Sequence, residues 1–119
     1  MKPSIIKLKS FQFALLVIRV YKELVEKHEF VLSKQILRSG TSIGALVREA
    51  EYAESKKDFI HKFSIALKEA NETKYWADLL YHSSYIHVDE YHVVNMDIQE
   101  LIRLLTASIK TSKSNLYKK

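Results

Sequence analysis

Few residues of this chain combine type and spacing in a way that could do chemistry. Asp58 and His61 stand three apart in DFIH, where a carboxylate and an imidazole on one helix face can share a metal ion. A di-iron bundle needs that pair on each of two helices plus two further carboxylates, and the chain supplies the pair once. Glu51 with Glu54, and Glu69 with Glu72, are carboxylate pairs at the same spacing, which on a helix ordinarily mark a solvated face rather than an acid and a base. Helical ribonucleases set a histidine shortly after an arginine on one face, and no arginine here has that partner. His82, His87 and His92 alternate with Tyr81, Tyr85 and Tyr91. At spacings of five the histidines share no helix face, so a loop rim packed by tyrosines fits better than a metal site or a platform for stacking bases. The absence of cysteine excludes thiolate metal sites, cysteine nucleophiles and disulfides, and fits a reducing compartment, the cytoplasm by default. The sequence therefore predicts no catalytic residues, no metal site and no cofactor.

Lysine is the one reactive type in excess, and its placement says more than the net charge of +5. Lys2, Lys7 and Lys9 at one end and Lys110, Lys113, Lys118 and Lys119 at the other lie in tails, residues 1–9 and 110–119, that hold no acid. Residues 10–109 carry 12 basic and 14 acidic groups, so the body is slightly acidic between basic ends.

The elements that must position these groups read as helices throughout. Two glycines, one proline and an abundance of Ala, Leu, Ile, Lys and Glu leave little to make the turns of a sheet, and 119 residues suit a single domain with one core. The basic start followed by FQFALLVI imitates a signal peptide. Arg19 closes that run, a charged amphipathic helix continues it, and eight residues are too few to cross a bilayer, so it is a buried helix rather than a leader or a span. This first helix, about Ser10 to Lys27, carries a core stripe at Phe11, Ala14, Ile18, Tyr21 and Val25 and a second at Phe13, Val17, Val20 and Leu24. Two stripes mean either a wide core face or a second face covered by another subunit.

Helix two opens with Ser33 as its N-cap and repeats apolar or small residues at Ile36, Gly40, Ile43, Val47 and Ala50. Helix three opens at Ser55, with Asp58 completing a capping box, and runs to about Tyr85 along a seam of Phe59, Phe63, Ala66, Ala70, Ala77 and Leu80, while Tyr75, Trp76 and Leu79 add apolar surface beside it. Helix four starts at Asp89 and Glu90 and carries Val94, Ile98, Leu101, Leu105 and Ile109 before the chain dissolves into KTSKSNLYKK. Short connections favour antiparallel neighbours, giving an all-α, up-down-up-down four-helix bundle. That topology brings both termini and the turn between helices two and three to one end, where the tail lysines meet Lys56 and Lys57 in a basic pole.

Gly40 and Gly44 fall inside the pattern of helix two, where each costs about 1 kcal/mol relative to alanine. A phosphate-binding loop would need a preceding strand and a lysine that are missing. Ser39, Gly40, Thr41 and Ser42 have the composition of a turn, yet the helical phase runs unbroken through them. The better account is close packing: Ser39, Gly40, Ser42 and Gly44 form a bare patch against which a neighbouring helix lies.

RSGTSIGALVREAEYAESKKDFIHKFSIALKEANETKYWADLL, residues 38–80, closely resembles the signature of a bacterial four-helix-bundle family first noticed as products of intervening sequences in 23S ribosomal RNA genes. A relative of that family is the accessory variability determinant of diversity-generating retroelements. Arg38, Ser39, Gly40, Ser42, Ile43, Gly44, Glu49 and Ala50 match its second helix, and Ser55, Asp58, Phe59, Ile60, Ala66, Leu67, Glu72, Tyr75, Trp76 and Leu80 its third. Leu46 departs from the asparagine usual in the family. The resemblance implies a cytoplasmic bundle assembled as a homopentameric ring with a role on nucleic acid, and it supplies no reaction.

Together these observations predict a non-enzymatic oligomer that binds RNA or DNA without reading sequence through Lys2, Lys7, Lys9, Lys56, Lys57, Lys110, Lys113, Lys118 and Lys119, the lysines acting as point charges on phosphates. Phe13, Val17, Val20, Leu24, Tyr75, Trp76 and Leu79 are the expected subunit interface. The alternatives are a scaffold that binds a protein partner, and lysine tails that only keep an oligomer soluble.

Overall fold

Four helices account for nearly all of the computed structural model, which describes residues 4–117: α1 (Ile5–Glu26), α2 (Leu32–Ala50), α3 (Lys56–His82) and α4 (Val88–Leu116). No strand occurs among the described residues. The helices are joined by three five-residue connections, 27–31, 51–55 and 83–87. Connections this short force each helix to reverse onto its predecessor. Each helix packs on its sequence neighbours, and α4 closes sparsely on α1, giving a rod of 55 × 21 × 21 Å.

The helix ends show how reversal is achieved without glycine. After α1, His28 takes a left-handed φ of 64°, Glu29 N–H donates to Leu24 O at 2.9 Å, and His28 N–H donates to Val25 O at 2.9 Å. After α3, Ser84 at φ 70° does the same, with Tyr85 N–H on Leu80 O and Ser84 N–H on Tyr81 O. Both are Schellman caps, a place where glycine is the usual residue.

Both glycines lie instead within α2, as the phase of the sequence predicts. A Cβ built at Gly40 would stand 2.7 Å from Val17 Cγ2, and one at Gly44 would stand 3.3 Å from the Ser10 carbonyl oxygen. The bare backbone of α2 is therefore where α1 seats. Ser39, on the next face, is fully buried against α3, its hydroxyl 2.8 Å from that of Thr73. Ser42 turns back, donating to Arg38 O at 2.6 Å.

Four expectations are corrected. First, the stripes of α1 exchange roles: Phe13, Val17, Val20 and Leu24 are fully buried in the chain's own core, so they form no subunit interface, while Phe11 is half exposed. The buried phase runs Ile6, Ser10, Phe13, Val17, Val20, Leu24. Ser10 takes a core position, where its carbonyl and hydroxyl lie against Gly44. Second, the lysine-rich ends are helical over residues 5–9 and 110–116, since lysine is a good helix former. Lys2, Lys118 and Lys119 lie outside the described residues.

Third, Ser33 does not cap α2. Glu29 does, its carboxylate accepting from Ser33 N at 2.6 Å and Val31 N at 3.3 Å, while the Ser33 hydroxyl is buried without a partner among the described residues. Fourth, α3 ends at His82, short of Tyr85. The Ser55 cap is as expected, with Asp58 N–H donating to Ser55 Oγ at 3.0 Å, but Asp58 reaches back to Glu54 N–H rather than to Ser55.

Candidate functional site

The short connections gather the start of α1, the end of α2, the start of α3 and the end of α4 at one pole. Lys7 and Glu51 mark it, their side chains paired at 2.9 Å between α1 and the residue after α2. Lys9, two residues further along, pairs with Glu100 of α4 at 3.2 Å. Lys56 and Lys57 open α3 and Lys110 and Lys113 lie in the last turns of α4. All four are exposed, and no ion pair joins them to an acid among the described residues. The exposed Glu54 and half-buried Asp58 lie nearby and offset part of this charge. The pole thus holds six of the nine predicted lysines, two of them already satisfied by acids of the same chain.

The carboxylates examined for catalysis have structural partners. Arg38 of α2 forks across to α3, Nη1 on Glu69 at 3.2 Å and Nη2 on Glu72, and Trp76 Nε1 donates to Glu72 at 3.0 Å. This clamp makes Glu69 and Glu72 part of the α2–α3 contact rather than a free solvated face. Asp58 serves the cap of α3, and His61 is exposed. Tyr81 and Tyr91 stack with centroids 4.4 Å apart, and Tyr91 donates to Asp78 at 2.6 Å, which pushes its hydroxyl up to about 12. His82, His87 and His92 are exposed around this rim. No three acid or histidine side chains are placed to hold a metal among the described residues.

Acids also line the sparse α1–α4 seam. Burial pushes the Glu90 carboxyl up to about 7, helped by a hydrogen bond and charge repulsion from Glu23, against the pull of Arg19 and Lys27. Asp97 is raised by burial and by Glu100, with Lys9 opposing. These shifts come from helix packing.

Apolar surface remains uncovered on α1 and on α3. Ile5, Leu8, Phe11 and Leu15 project from the outer face of α1, each about half exposed, with Arg48 of α2 lying 5.8 Å over the Phe11 ring. Tyr75 and Leu79 project from α3, with Trp76 half buried beside them. The α3 patch was predicted; the α1 face was missed because Phe11 was assigned inward and Ile5, Leu8 and Leu15 were placed on neither stripe. No helix among the described residues is long and apolar enough to cross a membrane.

This geometry defines a class: an all-helical four-helix bundle whose polar clusters hold helices together and whose exposed features are lysines at one pole and apolar faces on α1 and α3. The sequence matches the family of 23S rRNA-intervening sequence proteins over residues 2–107, and the chain belongs to that family. A Bacteroides thetaiotaomicron protein of unknown function, from the S23 ribosomal protein family, has a crystal structure that superposes with a TM-score of 0.88 at 55% identity, covering 89% of this chain and 99% of that one. No curated protein matches the sequence. Leu46, the departure from the family pattern, is partly buried against the core.

Proposed function

We propose that the protein is a non-enzymatic accessory bundle that assembles into a pentameric ring and holds RNA or DNA without sequence preference at its lysine pole. The observation that carries this is the exposure of Lys56, Lys57, Lys110 and Lys113 at one end, without acid partners among the described residues. A single chain presents a modest field, because Glu54 and Asp58 lie close by. A ring multiplies it. The half-exposed face of Ile5, Leu8, Phe11 and Leu15, with the Tyr75 and Leu79 patch, supplies apolar surface for subunit contacts. The cytoplasm suits a chain without cysteine.

Binding of a fluorescent single strand, measured against salt, tests the reading. Each lysine lost from a phosphate contact flattens the dependence of log K on log salt by about 0.7. Replacing Lys56, Lys57, Lys110 and Lys113 with glutamine is expected to weaken binding and flatten the slope together. Unchanged binding would rule the pole out. The second reading, a protein scaffold, is favoured by the α1 face; there the glutamine variant keeps its partner and a Leu8→Glu, Phe11→Glu variant loses it.

A further inference from the structure

The core stripe of α4 runs Val94, Ile98, Leu101 and Leu105, and the same four-three spacing carries it on to Ser108 and Ser112. The last two core positions of the longest helix are thus filled by serine, too small to meet the helices opposite. A cavity of about 330 Å³ results at the pole, walled by Ile6, Val47, Ala50, Phe59 and Phe63, with Ser108 on its edge. From Phe59 and Ser108 it continues into a shallow trough past Thr111 and Ser112. An engineered apolar cavity of about 150 Å³ takes up benzene, so this space is roughly twice what one ring needs.

Its mouth is polar. Ser4, Lys7 and Glu51 stand there, and the Lys7 ammonium is held over it by Glu51 at 2.9 Å. Phe59 and Phe63 stack at 4.4 Å and give the interior a flat aromatic wall. An apolar interior with an ion-paired lysine at the entrance, whose ammonium has three donors and keeps one for a ligand beside the two Glu51 oxygens, is the arrangement of a small-ligand site, not of a surface for a macromolecule.

We infer that this cavity binds a small monocarboxylate whose apolar body, one or two rings or an alkyl chain of similar bulk, packs on Phe59 and Phe63 while its carboxylate takes Lys7. The positive field of the neighbouring Lys56, Lys57, Lys110 and Lys113 favours the anion over a neutral analogue. Binding here is separate from nucleic-acid binding and does not depend on it.

The test is a titration of the full chain with 2-naphthoate, followed by NMR through the signals of Ile6, Val47 and Phe63, with 2-naphthalenemethanol as the neutral probe. Saturable shifts at those residues, with naphthoate at least tenfold tighter than the alcohol, are expected. Ser108→Leu fills the gap and should weaken naphthoate at least tenfold while raising the midpoint of thermal unfolding. Lys7→Gln should cut the preference for the acid at least threefold and leave the alcohol unchanged. The inference is overturned by no saturable shift, by shifts confined to the surface lysines, by equal affinity for acid and alcohol, or by a folded Ser108→Leu that binds as well as the native chain. Should Ser108→Leu not fold, the native titration and Lys7→Gln decide. Displacement by single-stranded RNA without any shift at Ile6 or Phe63 would place the naphthoate on the lysines and overturn it too.

Discussion

At Gly40 the residue scale decides how two helices meet. Glycine costs α2 about 1 kcal/mol of helix propensity, yet an added methyl would press into Val17, which is buried on every side. Overpacking of this kind costs about 1–3 kcal/mol, so Gly40→Ala is expected to destabilise despite its better propensity. Gly44→Ala meets Ser10, its nearest atom the carbonyl oxygen at 3.3 Å, and should cost less. In chemical denaturation, Val17→Ala should relieve part of the Gly40→Ala loss, giving a double variant less destabilised than the sum. Strict additivity would mean that the glycine is not there for Val17. Ser33 and Glu29 make a second contrast. The buried Ser33 hydroxyl has no partner among the described residues, so Ser33→Ala should be neutral or stabilise by about 1 kcal/mol, whereas Glu29→Ala strips the cap of α2 and should cost about 1–2 kcal/mol. Reversal of that order in thermal melts would restore serine as the cap.

Among the elements, α1 and α4 form the weakest pairing, and it is the one lined with raised carboxyls. Glu90 has an ordinary value of 4.5 and is pushed up to about 7 in the fold, so the folded chain binds the extra proton between those limits. Stability from this group is therefore full below pH 4.5 and is lost as pH rises to 7. Glu90→Gln should stabilise the protein above pH 7 and flatten the fall in melting temperature between pH 4.5 and 7; an unaltered pH profile would show that the seam does not titrate. The caps belong to this scale as well. His28 and Ser84 adopt the left-handed conformation that glycine would take most cheaply, while both glycines serve packing in α2. That allocation explains what could be read from the sequence. The number and order of the helices, the Ser55 cap and the helical state of Gly40 and Gly44 follow from periodicity. The phase of α1 does not, because Ser10 occupies a core position opposite Gly44 and Phe11 faces outward, which inverts the apolar signal. The capping of α2 was hidden because a glutamate four residues before Ser33 reaches it only through the Schellman reversal at His28.

For the molecule as a whole, the antiparallel order turns charges scattered through the sequence into one pole, and this was legible as soon as four helices with short connections were assigned. What charge counting missed is pairing: Lys7 and Lys9 already meet Glu51 and Glu100, so the available charge is smaller than nine lysines suggest. The reversal of the α1 stripes also changes how an assembly is built. Val17 and its neighbours hold one chain together, and the exposed face of Ile5, Leu8, Phe11 and Leu15 is the surface proposed for subunit contact. An assembly that depends on this face should dissociate in a Leu8→Glu, Phe11→Glu variant that still melts as a folded helical bundle. The most direct measurement is the mass of the particle in solution, with and without a mixed RNA and DNA pool, at low and at high salt. A pentamer that gains mass from nucleic acid at low salt and returns to its own mass at high salt is the predicted result. A monomer, or a pentamer that takes up nothing at any salt, would contradict the account.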